Sequence, residues 1–288
     1  MRAWATDPEA LGPPPPGVEV VDAPAPGVEF VVPRWDESLR LHELPDLRVI
    51  QVLSAGVDWI VDRVPEGVML CSARGARDRA MGEWIAAAIL AEVKHARPLA
   101  VAQGRREWRP TLLHDAAGLR ILVVGFGSIG RTLRAMLAPF ECEVAGVART
   151  AREGVHGVDD LPELLGEFDV VVNLLPLTEG TRGFFGEREL ELMRHDALYI
   201  NAGRGATTDT DALLAALQAR RIRAVLDVVD PEPLPPEHPL WTAPNVMISP
   251  HSAGDTPAAE RAAWALAAAQ LRRYAAGEQL LNVVRDGY

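Results

Sequence analysis

Apolar and polar positions change texture twice along the chain. Up to about residue 71, short apolar runs alternate with proline-rich breaks, and Val18–Val21, Glu29–Val32, Leu47–Leu53 and Val68–Cys71 read as short strands. From Arg79 to His95 the period changes. Met81, Trp84, Ile85, Ala88, Ile89 and Val93 recur at helical spacing and predict a buried, alanine-rich helix. The middle of the chain then alternates between the two periods. Leu119–Val124, Glu143–Val147, Asp169–Asn173, Leu198–Asn201, Val225–Val229 and Val246–Ser249 read as strands, with helices over Gly130–Ala138 and Asp211–Ala219. Strands separated by helices of this length predict a parallel sheet covered on both faces. Near the end, Thr256 suits a helix N-cap, Pro257 the first helical position and Gly277 the stop of a long helix.

The two long helices bracket the alternating region. This predicts a discontinuous domain of residues 1–92 and 265–288 around a continuous α/β domain of residues 93–264.

Composition narrows the function classes. Forty acidic against 29 basic side chains give a formal charge of −11, which does not attract phosphate backbones and argues against a nucleic-acid partner. Two cysteines, Cys71 and Cys142, make neither a disulfide framework nor a metal finger, and fit a reducing cytoplasm. No histidine shows paired spacing with cysteines or carboxylates, so no metal site is expected. The longest apolar stretches, such as Trp84–Ala91, fall far short of the roughly 20 residues of a membrane span. The N-terminal residues lack the apolar core of a signal peptide, and Pro13–Pro16 read as a stiff surface loop.

Gly125-Phe126-Gly127-Ser128-Ile129-Gly130 is a G-x-G-x-x-G that follows a strand and opens a helix, the context in which this motif binds a dinucleotide. Gly125 permits the tight turn, Gly127 lets the backbone approach a pyrophosphate, and Gly130 lets helix and strand pack closely. The helix N-terminus supplies N–H groups and partial positive charge to the phosphates. An NAD site places a carboxylate about 20 residues past the first glycine, on the ribose 2′-hydroxyl. Here Gly146–Arg152 contains no acid, and Arg149 and Arg152 precede Glu153. The pattern favours NADP over NAD.

Three further segments follow in order, Asn201–Gly205, Leu226–Leu234 and Ser249–Gly254. Each begins at or just after the C-terminal end of a predicted strand, where open parallel sheets bind ligands. Arg204, Glu232 and His251 are therefore expected to converge. No G-x-S-x-G turn is present to suggest a serine nucleophile.

These segments, with Ser54–Asp58, Met81–Trp84, the glycine turn and Asn173–Thr178 with Thr181, closely resemble the D-isomer-specific 2-hydroxyacid dehydrogenase family. The Ser-Ala-Gly-Val-Asp loop looks most like its glyoxylate and hydroxypyruvate reductase branch. The resemblance implies a Rossmann-type doubly wound cofactor domain, a smaller flavodoxin-like α/β substrate domain and a homodimer. It implies hydride transfer between NAD(P)H and a small 2-oxo or 2-hydroxy acid. His251 would be the general acid, Glu232 its carboxylate partner and Arg204 the grip on the substrate carboxylate. Backbone amides at Ala55 and Gly56 would bind the same carboxylate. Ser128 and Ile129 would donate to the pyrophosphate, Asp227 would receive the nicotinamide carboxamide, and Leu175, Pro176 and Ala202 would line the nucleotide site. Arg149, Thr150 and Thr181 complete the implied cofactor set. Two alternatives stand beside this reading. One is a nucleotide-sensing interaction protein of the same fold. The other is a dehydrogenase of a phosphorylated acid such as 3-phosphoglycerate, for which the basic loop Ser72–Arg79 would hold the second anion.

Overall fold

A computed structural model describes residues 1–35 and 39–285. The chain divides into two units, Met1–Asp78 with the segment from Asp255 onward, and Arg79–Gly254.

In the first unit the short apolar runs pair as parallel strands: β1 (Arg2–Ala5), β2 (Glu19–Val21), β3 (Val28–Val32), β4 (Val49–Gln51) and β5 (Met69–Cys71). Their order is β2-β1-β3-β4-β5, the flavodoxin-like arrangement. Alternate residues face opposite ways, so each face has its own core. Phe30, Val32 and Val49 pack with Ala263, Trp264, Ala267 and Leu271 of the helix Pro257–Ala275. Val31, Ile50 and Leu70 pack with Leu41, Leu44 and Ile60 on the other face. The Thr256 hydroxyl caps the long helix by accepting from the Ala259 N–H.

The second unit carries β6 (Arg120–Val124), β7 (Glu143–Ala148), β8 (His156–Gly157), β9 (Val170–Asn173), β10 (Ala197–Asn201), β11 (Ile222–Leu226) and β12 (Val246–Ile248), all parallel. The order β12-β11-β10-β9-β6-β7-β8 reverses direction between β6 and β9. This is the doubly wound Rossmann topology, and the reversal point is where such sheets take their ligands. Ile121, Val123, Val172 and Ile200 pack against Leu133 and Leu137 of the helix Ser128–Leu137 and against the helix Asp78–Val93. Leu122, Val124, Val171 and Leu226 pack on the other face with Leu213 and Leu217 of the helix Thr210–Gln218.

Two expectations need correction. The domain boundaries fall after residues 78 and 254, not after 92 and 264. The helix Asp78–Val93 buries Ile85, Ala88, Ile89 and Val93 against the second unit's sheet, and so belongs to it for nearly its whole length. Conversely, the helix Pro257–Ala275 gives its apolar face to the first unit from its second turn onward. The strand expected at Val225–Val229 is β11, Ile222–Leu226. Arg221 and Arg223 hide its start, and the chain leaves the sheet at Asp227. Among the described residues no helix is long and apolar enough to cross a membrane.

Candidate active site

The dinucleotide turn leaves β6 at the reversal point. Gly125 has φ 90°, a left-handed conformation, and a Cβ there would lie 2.7 Å from the Leu174 carbonyl carbon, so only glycine fits. Gly127 opens the helix Ser128–Leu137 without a side-chain cap, leaving the first-turn N–H groups of Ser128 and Ile129 for an incoming anion. A Cβ on Gly130 would meet Phe126 at 2.8 Å and Val123 at 3.2 Å, which is the close helix–strand packing expected of the third glycine. The donor set and the tight glycine cradle fit a dinucleotide pyrophosphate.

The two arginines after β7 differ in employment. Arg152 donates from Nη2 to the Phe126 carbonyl at 2.6 Å and so braces the glycine turn. Arg149 and Thr150 are exposed, and the Arg149 guanidinium has no hydrogen bond or ion pair among the described residues. Leu175 and Pro176 are half-buried next to Asn173, whose Oδ1 accepts from the Leu175 N–H at 3.0 Å. Thr181 holds the same loop from beyond, with its hydroxyl donating to the Pro176 carbonyl at 2.5 Å. Ala202 is buried at the end of β10.

Arg204 follows in the loop after β10 and donates from Nη1 to the Gly203 carbonyl at 2.8 Å. Gly205 lies so close to the Val229 carbonyl that any Cβ would collide with it. This packs the Arg204 loop against the segment leading to Glu232. Glu232 and His251 then meet, with Nδ1 of the imidazole 2.5 Å from the Glu232 Oε1. Nδ1 is thus committed to the carboxylate, and Nε2 is the ring nitrogen left to exchange a proton.

His251 adopts φ 53°, unusual for a residue with a side chain, and Asp227 holds it there. The Asp227 carbonyl accepts from the His251 N–H at 2.8 Å. The buried carboxylate accepts from the Ser249 hydroxyl at 2.6 Å and from the Ser252 and Ala253 N–H groups at 2.9 and 3.0 Å. Asp227, for which the family resemblance implies a contact to the nicotinamide carboxamide, also anchors the histidine loop. Removing one partner strands several buried donors. Asp227→Ala is expected to cost about 1–3 kcal/mol of stability, read by denaturant titration, and to lower turnover with it.

Ala55 and Gly56 belong to the first unit. There the Ser54 hydroxyl donates to the Gly56 carbonyl at 2.6 Å and accepts from the Trp59 indole at 3.2 Å, shaping that loop. In the basic loop, Arg77 is paired with Asp255 and Glu260, and Arg79 with Glu83. Most of its cationic charge is already matched.

Residues 86–253 match the D-isomer specific 2-hydroxyacid dehydrogenase, NAD binding domain. The chain belongs to this family. As a family member it is an oxidoreductase with a Rossmann-type NAD(P)-binding domain. A glyoxylate reductase of Aeropyrum pernix is 32% identical over 261 residues, covering 85% of this chain and 78% of its own length. A D-3-phosphoglycerate dehydrogenase of Methanocaldococcus jannaschii is 32% identical over 255 residues, 85% of this chain but 48% of its own length. Among solved structures, the NADPH-dependent glyoxylate/hydroxypyruvate reductase of Sinorhizobium meliloti, in complex with NADP and sulfate, has a TM-score of 0.90 at 29% identity. The coverage is 100% of both chains.

The supporting contacts beneath these motifs come from residues at the head of the same segments and from their neighbours. Ser249 and the buried polar set Asn173, Tyr199, Asn201, Thr207 and Thr208 hold the functional loops from below. An asparagine closing an otherwise apolar strand, as in β9 and again in β10, is the signal that points to them.

Proposed function

We propose that this dehydrogenase reduces small 2-oxo acids, glyoxylate or hydroxypyruvate, with NADPH preferred over NADH. The observation that carries the reading is the 2.5 Å contact of His251 with Glu232, formed by loops at the carboxyl edge of the sheet that bears the dinucleotide turn.

A bound reduced nicotinamide would supply hydride for C2. The residues of this chain do the rest. Arg204 grips the carboxylate of the acid through its planar fork and polarises the carbonyl. His251 donates its Nε2 proton to the oxygen on which charge develops, and takes it back in the oxidation direction. Glu232 orients the imidazole through its contact with Nδ1. The Ala55 and Gly56 N–H groups serve as further carboxylate donors. Ser128 and Ile129 hold the pyrophosphate, Leu175, Pro176 and Ala202 line the nucleotide site, and Thr150 and Thr181 border it.

Preference for NADPH is supported by the missing acid between Gly146 and Arg152 and by the uncommitted Arg149 guanidinium. The NADP bound in the Sinorhizobium meliloti reductase points the same way. A homodimer through the cofactor unit is supported by exposed Val101, Trp108, Leu112 and Leu113, which gather in one stretch of that unit. Two unpaired thiols, Cys71 and Cys142, support a cytoplasmic location. A phosphorylated acid is disfavoured by the ion pairs already made in the Ser72–Arg79 loop.

The test is a panel of 2-oxo acids, 3-phosphohydroxypyruvate included, followed by loss of reduced-nicotinamide absorbance. Turnover of glyoxylate or hydroxypyruvate is expected. Turnover of the phosphorylated acid alone would replace the substrate, and failure on every acid would favour a nucleotide-sensing protein.

A further inference from the structure

We infer that a buried hydroxyl and amide network beneath the sheet's carboxyl edge aims Arg204, with Thr207 and Tyr199 as its positioning residues. The inference rests on the reading of Arg204 as the substrate's carboxylate clamp.

Asn173, Tyr199, Asn201, Thr207 and Thr208 are all buried, none more than 5% exposed. Asn173 closes β9 and Asn201 closes β10, and the two are register partners across the sheet. Hydrogen-bond directions follow from the donor inventory. The Asn173 amide nitrogen donates to the Tyr199 hydroxyl at 2.9 Å and to the Thr207 hydroxyl at 2.8 Å. The Tyr199 and Thr208 hydroxyls share a hydrogen bond of 2.6 Å, and Thr208 also accepts from the Asn201 amide at 3.1 Å. Burial pushes the Tyr199 phenol far above its ordinary range, so it remains neutral.

Two paths through this network end on one atom. The Arg204 carbonyl accepts from the Thr207 hydroxyl at 2.6 Å and from the Asn201 amide at 3.0 Å, besides the Thr207 N–H at 3.2 Å. Asn201 Oδ1 takes the Gly203 N–H at 3.1 Å, fixing the residue before Arg204 as well. At the other end, Asn173 Oδ1 takes the Leu175 N–H. The same network thus holds the backbone of the nucleotide-lining loop and of the substrate arginine. Burying this much polarity is costly unless every partner is in place, and a fully paired network rigidifies what it touches. Among the described residues no hydrogen bond joins this network to the His251–Glu232 pair.

The test compares Thr207→Val, which keeps the shape and removes the hydroxyl, with Thr207→Ser, which keeps the hydroxyl. For Thr207→Val, kcat/KM toward the 2-oxo acid is expected to fall by about 10- to 10²-fold, the scale of a small displacement of a positioned group. Asn173 keeps Tyr199 and the Leu175 N–H in this variant, so NADPH binding, measured by fluorescence titration, should stay within a few-fold of the wild type and the shape of the pH–rate profile should not change. Thr207→Ser should restore most of the loss. In an Arg204→Ala background, Thr207→Val should cost little more, because it acts through Arg204. Tyr199→Phe should show the same pattern more weakly and takes the place of Thr207→Val should that variant not fold. An active wild type with undiminished kcat/KM in the variants would overturn the inference. So would parallel loss of NADPH binding and thermal stability without rescue by serine, or full additivity with Arg204→Ala. A wild type that reduces no 2-oxo acid would instead overturn the functional reading itself.

Discussion

Arg204→Ala and His251→Ala are each expected to lower kcat/KM for the 2-oxo acid by orders of magnitude while NADPH still binds. On the proposed roles both side chains act on the substrate, and the pyrophosphate would be held by the turn Gly125–Gly130. Removing a charge-assisted contact to developing charge costs about 2.7–4 kcal/mol, or roughly 10²–10³ in kcat. A general acid contributes a comparable 10²–10⁴-fold. The two losses should differ in kind. Arg204 grips the carboxylate in the ground state too, so its removal raises KM as well as lowering kcat. His251 serves the proton transfer, so its removal falls mainly on kcat. Glu232→Gln keeps the shape of the 2.5 Å contact but not its charge, and should lose part of what His251→Ala loses. Steady-state kinetics with a separate fluorescence titration of NADPH checks all three. Near-normal turnover in either alanine variant removes that residue from the mechanism.

The coenzyme preference is the second large effect. Ala148 ends β7 and Arg149 follows it, where an NAD enzyme would place a carboxylate against both ribose hydroxyls. An acid there would repel a 2′-phosphate. The Arg149 guanidinium, exposed and without a partner among the described residues, can instead form a charge-assisted hydrogen bond of about 1.5–3 kcal/mol. At about 1.4 kcal/mol per tenfold, NADPH should be preferred roughly 10- to 100-fold. Arg149→Ala should weaken NADPH far more than NADH, and Ala148→Asp should turn the preference toward NADH. Arg152 is not equivalent. It braces the Phe126 carbonyl, and Arg152→Ala should weaken both coenzymes. Equal kcat/KM with the two coenzymes in the wild type would leave Arg149 a solvated loop residue.

The cofactor unit was largely legible in the sequence because its information is local. A strand, a glycine turn and a helix are contiguous, and Arg204, Glu232 and His251 each follow their strands within a few residues. What escaped was set by tertiary context. β1 is four residues long, opens with an exposed arginine and carries no alternating pattern, yet it is paired on both sides, with β2 and β3. Its burial comes from those neighbours, not from its own composition. The helix Asp78–Val93 was recognised, but not which sheet it covers, because an apolar helix face fits either core. The hold of Asp227 on the histidine loop was hidden, because its partners are the Ser249 hydroxyl and backbone N–H groups some 25 residues on, which no spacing rule reveals. The Tyr199 network was invisible for the same reason: its members lie on separate strands and loops and meet only through the register of β9 and β10.

As a 2-oxo acid reductase, this chain would direct hydride from a reduced nicotinamide to C2 of its substrate. The most direct measurement uses NADPH carrying deuterium at both C4 positions, with hydroxypyruvate as acceptor, and mass spectrometry of the product. One deuterium at C2 of a single glycerate enantiomer, the D isomer, is the predicted result, and its yield should collapse in His251→Ala. Hydroxypyruvate recovered unreduced, or glycerate formed without deuterium at C2, would contradict the account.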